Sequence, residues 1–135
     1  ANKEDEEALA LYGMHLGTAF QLVDDVLDLN GDAEKIGKNL GDDLSEGKPT
    51  LPLLHAMHQS NAADAAIIRE AIKQGRLEKM SAVLATVSAT NASEYVLNLA
   101  KSESDLACTA IAHFPDSEYK TALIQLAQFS ATRNY

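Results

Sequence analysis

The sequence predicts an all-α fold. Apolar residues recur at steps of three and four, alanine and leucine dominate an apolar share of 46%, and only 3 prolines interrupt 135 residues. Tryptophan is absent and few β-branched alternations occur. A chain of this length has room for one domain of modest core, residues 1–135.

The first helix is expected from about Glu4 to Asn30. Its acidic opening, Glu4-Asp5-Glu6-Glu7, suits the positive end of a helix dipole. Leu9, Tyr12, Leu16, Phe20, Val23 and Leu27 recur at helical spacing, and Leu22, Val26 and Leu29 cover another side. A helix apolar over most of its circumference is expected in the core. A glycine-rich loop follows, up to Gly47. A short helix then runs from about Pro49 to Gln59, its prolines tolerated in the first turn. Asn61 is expected to cap a helix from about Ala63 to Gln74, which Gly75 ends. Another spans about Leu77 to Ser88. Asn91 or Ser93 opens a long helix to about His113, with Val96, Leu99, Leu106 and Ile111 on its packed side. Pro115 and Asp116 make a turn, and a last helix carries Tyr119, Leu123, Leu126 and Phe129.

Within the first helix, Phe20-Gln21-Leu22-Val23-Asp24-Asp25-Val26-Leu27-Asp28 places carboxylates in an otherwise apolar run. At about 100° per residue, Asp24, Asp28, Gln21 and Asp25 share an arc of roughly 100°. Like charges gathered on a core element destabilise it unless a cation sits among them. A hard divalent ion fits: Mg²⁺ takes one or two carboxylates and fills its other positions with water and phosphate oxygens. The cluster therefore points to a magnesium-bridged diphosphate, against the blander reading of a solvated charge patch.

The loop sharpens this reading. Gly31, Gly37, Gly41 and Gly47 allow close approach of backbone to a ligand, and Lys38 and Lys48 each directly follow a glycine. Lysines in a loop made acidic by Asp32, Glu34, Asp42, Asp43 and Glu46 supply the positive charge a diphosphate requires.

Several pieces then occur in order: Tyr12-Gly13, Leu16-Gly17-Thr18-Ala19-Phe20-Gln21, Asp24-Asp25-Val26-Leu27-Asp28, Gly37-Lys38-Asn39-Leu40-Gly41-Asp42-Asp43-Leu44, Glu46-Gly47-Lys48-Pro49-Thr50-Leu51-Pro52-Leu53-Leu54 and His55-Ala56-Met57-His58. Together they resemble the second aspartate-rich region of the trans-isoprenyl (polyprenyl) diphosphate synthases, among which the bacterial long-chain, octaprenyl-type members are most similar. A lone DDxxD is weak, since class I terpene cyclases carry one. The glutamine before it and the Gly-Lys-Pro-Thr-Leu-Pro segment beyond make it specific. Beyond about Gln59 only helical character continues the likeness.

The resemblance implies the C-terminal portion of an isoprenoid-synthase helical bundle. It also implies Mg²⁺-dependent head-to-tail addition of isopentenyl diphosphate to an allylic diphosphate, giving long all-trans chains for quinones. Asp24 would be the direct metal ligand, with Asp25 and Asp28 acting beside it or through water. Lys38 would hold the allylic diphosphate, Asp43 and Lys48 would stand at the mouth, and Gln21 would face the reacting prenyl end. The family's other aspartate-rich motif and its isopentenyl diphosphate residues lie in an N-terminal half that has no counterpart here. The chain is thus expected to be less than half of such an enzyme, inactive alone, and homodimeric when whole. Rival readings are a fragment of a class I terpene cyclase and a non-catalytic helical subunit of a two-component synthase.

A net charge of −9 argues against nucleic acid or an anionic membrane surface as a partner. No apolar stretch of about 20 residues suggests a transmembrane segment. The single Cys108 excludes an internal disulfide and fits a reducing cytoplasm; it lies in an apolar helical pattern and reads as core. His55 and His58, three apart, have no third metal ligand nearby, and His15 and His113 read as isolated. Asp28-x-Asn30-x-Asp32 resembles the start of a calcium loop, but Ala33 replaces the required glycine.

Overall fold

The computed structural model describes residues 2–29, 50–74 and 80–133. Among them are six helices and no strand, as an all-α fold requires. They are α1 (Lys3–Leu27), α2 (Leu51–Gln59), α3 (Ala62–Gln74), α4 (Met80–Ala89), α5 (Ala92–Ala110) and α6 (Glu118–Thr132). The chain divides into two compact units, one of Ala1–Asp24 with Leu97–Tyr135 and the other of Asp25–Val96.

In the first unit α1 packs with α5 and α6 around Tyr12, Ala107, Ile111 and Ala127. The buried stripe of α5 is Val96, Ala100, Ser104 and Ala107, continued by Ile111 in the turn just past its end, at helical steps of four, four, three and four. Leu106, expected on that stripe, is 47% exposed, and Leu99 is only half-buried. The reason is the size of the residues chosen for contact. Ser104 Oγ donates to the Ala127 carbonyl at 2.7 Å and Ala107 shares a core with Ala127, so α5 and α6 meet through alanine and serine, while Ser130 Oγ bonds the same carbonyl from within α6 at 2.6 Å. The same contact turns α6 away from its expected face. Ala127, Ser130 and Ala131 are buried, whereas Tyr119 is 82% exposed and Leu126 and Phe129 are exposed. Only Leu123 of that predicted face packs against the core.

α1 is likewise less enclosed than its composition predicts. Ala8, Tyr12, Ala19, Val23 and Val26 are buried, while Leu9, Leu11 and Met14 are exposed. Leu16, Phe20 and Leu27 are half-buried. Tyr12 is tied down at its polar tip as well, its hydroxyl donating to the Leu123 carbonyl at 2.6 Å.

The second unit has its own core, in which Leu53 and Ala56 of α2, Ile68 of α3, Val83 and Val87 of α4 and Ala92 come together. Ser60 ends α2, and the Asn61 side chain accepts the Asp64 N–H at 2.9 Å, capping α3 as expected. Asn91 takes a positive φ of 53°, a conformation asparagine tolerates better than most residues. There its N–H donates to the Ser88 carbonyl and its own carbonyl accepts from Tyr95, closing α4 and opening α5 at one residue. The predicted stop at Gly75 and the predicted start at Leu77 lie outside the described residues, as does the glycine-rich loop.

Candidate functional site

The acidic run sits at the end of α1. The helix stops at Leu27, three residues short of the expected end, and Leu29 N–H bonds the Val26 carbonyl at 3.0 Å to make a tight turn. Asp28 lies in that turn, where aspartate is favoured because its side chain can bond nearby backbone. Asp24 and Gln21 are exposed and Asp25 and Asp28 half-buried. Asp24 belongs to the first unit, and Asp25 and Asp28 to the second. Lys38, Asp43 and Lys48, expected around the diphosphate, lie outside the described residues.

The structure adds a residue that the sequence did not point to. Arg133, which follows α6, pairs through Nη2 with Asp24 Oδ1. The same nitrogen donates to the Phe20 carbonyl at 2.9 Å, one helical turn before Asp24. The guanidinium lies over the Phe20 ring, 4.7 Å from its centroid. Its side chain is only 9% exposed against 53% for Asp24. The backbone holds it too, since Arg133 N–H caps α6 by bonding the Phe129 carbonyl at 2.9 Å. With the partners 109 positions apart in sequence, no local pattern could have revealed the pair.

No three His, Cys, Asp or Glu side chains among the described residues are grouped tightly enough to hold a metal by themselves. Mg²⁺ needs few protein oxygens and keeps water and phosphate as ligands. Asp24 fits this role: its carboxylate is half open to solvent, and among the described residues its contact is made through Oδ1.

His15 and His113 differ from expectation. His15 Nδ1 lies 2.5 Å from Glu103 Oε2, and His113 Nε2 lies 3.3 Å from Asp5 Oδ1, so neither is isolated. His55 stacks on Tyr95 with ring centroids 3.9 Å apart. Cys108 is half-buried against the first core. Burial, and then the charge of Asp105, raise its thiol above the ordinary value, which makes it a poor nucleophile. No described helix is long and apolar enough to cross a membrane.

Comparison with known proteins gives the family. The polyprenyl synthetase family model matches residues 1–90. The chain is 56% identical over 131 residues to an octaprenyl diphosphate synthase of Haemophilus influenzae, covering 96% of this chain and 40% of that protein. It is 48% identical to the octaprenyl diphosphate synthase of Escherichia coli, covering 97% of this chain and 41% of that one. Among solved structures it resembles a polyprenyl synthase of Caulobacter crescentus, crystallised with calcium and isoprenyl diphosphate, at a TM-score of 0.83 and 38% identity; the match covers all of this chain and 42% of that one. The chain thus spans about two fifths of the length of these relatives. Its all-helical architecture is that of the polyprenyl synthases, and the chain belongs to the polyprenyl synthetase family.

Proposed function

We propose that this chain is the C-terminal part of a long-chain, octaprenyl-type diphosphate synthase, and that the acidic end of α1 is its metal-diphosphate site. The observation that carries the reading is Asp24, a half-exposed carboxylate in a largely apolar stretch at the end of α1, in a run that continues through Asp25 and Asp28. Similarity to two octaprenyl diphosphate synthases supports the product class.

In this reading the reaction joins isopentenyl diphosphate head-to-tail to an allylic diphosphate. Mg²⁺, when bound, supplies the positive charge that lets diphosphate leave. Asp24 holds the metal directly, and Asp25 and Asp28 act beside it or through water. Lys38 grips the allylic diphosphate, and Lys48 and Asp43 flank the mouth. Gln21 faces the prenyl end and steadies the developing carbocation with its carbonyl dipole. The whole enzyme works as a cytoplasmic homodimer, and the 135-residue chain alone is inactive.

The test is prenyl transfer by protein made from the complete reading frame, with farnesyl and isopentenyl diphosphates, with and without Mg²⁺, and products sized by mass spectrometry. Magnesium-dependent products of octaprenyl length are expected. Shorter products would overturn the chain-length assignment alone. No elongation, with diphosphate still bound in an Asp24-dependent way, would point to a cyclase or a non-catalytic subunit.

A further inference from the structure

We infer that Arg133 is a positioning residue that orients Asp24 for metal binding. This rests on the reading of Asp24 as a metal ligand. A carboxylate on an exposed helix face samples several rotamers, and a metal that uses one of its oxygens must select among them. Arg133 removes that freedom. Its Nη2 bridges Asp24 Oδ1 and the Phe20 carbonyl, so the carboxylate is referenced to the backbone of its own helix.

The arginine itself is fixed. The Phe20 ring lies under the guanidinium, the side chain is nearly buried, and its backbone N–H is committed to the Phe129 carbonyl. A swinging counter-ion would sit in solvent and leave when a metal arrived; this one is held on several sides. With Oδ1 engaged by the arginine, Oδ2 is presented for one metal bond, and Mg²⁺ binds carboxylates in that one-oxygen manner. The guanidinium also offsets part of the charge of Asp24 before any metal binds. Partners of ligating carboxylates set metal affinity by orientation, and losing one typically weakens binding by about 10- to 100-fold.

The experiment is Mn²⁺ titration of the complete enzyme followed by electron paramagnetic resonance, comparing the parent with Asp24→Asn and Arg133→Gln. The signal of interest is the binding component that Asp24→Asn abolishes. Arg133→Gln is expected to weaken that component by about 10- to 100-fold and to leave any other Mn²⁺ component unchanged. If the component is unaltered or tightened in Arg133→Gln, the positioning role is overturned while Asp24 stays a ligand. If Asp24→Asn abolishes nothing, both readings fall. Should Arg133→Gln not fold, Arg133→Lys carries the test, because lysine keeps the charge but cannot lay a planar fork over Phe20. Weaker Mn²⁺ binding at the Asp24-dependent site is expected there too, and parent-like binding would overturn the inference.

Discussion

At the scale of single residues, Asp24 and Tyr12 carry the sharpest consequences. Asp24→Ala in the complete enzyme is expected to lower prenyl transfer by orders of magnitude with helix content intact, because a lost metal ligand removes leaving-group assistance while the lost ion pair with Arg133 leaves the apolar core of the helix in place. Steady-state turnover and circular dichroism check this together, and near-normal turnover would remove Asp24 from the site. Tyr12 governs pH behaviour. Burial first, and then the neighbouring Cys108, raise its phenol above the ordinary value. A group whose folded pKa is raised holds its proton more tightly when folded, so its stabilisation is complete below the unfolded pKa and is lost as pH rises above it. Cys108 shifts in the same direction. Stability in urea is therefore expected to fall above about pH 9, through the range where free thiols and then phenols ionise. Tyr12→Phe should flatten the later part of that fall, and equal alkaline slopes in the two proteins would contradict it.

At the scale of elements, helix ends were more legible than helix faces. Asn61 announces α3 by its residue type, and its side chain accepts the Asp64 N–H. Ser117 does the same for α6, accepting from Lys120 N–H at 3.1 Å, although Pro115 and Asp116 drew attention first. Ser117→Ala is expected to cost about 1 kcal/mol, measured by chemical denaturation; an unchanged midpoint would show that the cap contributes nothing. Faces were harder because hydrophobic periodicity weighs leucine and tyrosine above alanine and serine. The contact of α5 with α6 is built on Ser104, Ala107 and Ala127, so the larger Leu106, Tyr119 and Leu126 face outward. The site divides in the same way. Asp24, Asp25 and Asp28 were visible because acids interrupt an apolar helix, whereas Arg133 became visible only once α6 lay beside α1.

At the scale of the molecule, the exposed Leu11 and Met14 stand together with Ala10 on one face of α1, and Leu9 is exposed on another side. Such patches are covered in stable soluble proteins. The chain spans only about two fifths of its relatives, and in the proposed enzyme the remaining helices would supply that cover. The 135-residue chain by itself is accordingly expected to self-associate, with a sedimentation coefficient that rises with concentration. A compact monomer that resists dilution would argue that this face needs no partner. The most direct measurement is a crystal structure of the complete enzyme with Mg²⁺ and an unreactive thio analogue of the allylic diphosphate. The expected result is a metal at about 2.0–2.1 Å from a carboxylate oxygen of Asp24, with the diphosphate as fellow ligand. A metal and diphosphate bound with Asp24 still turned away from both would contradict the assignment of this helix end as the site.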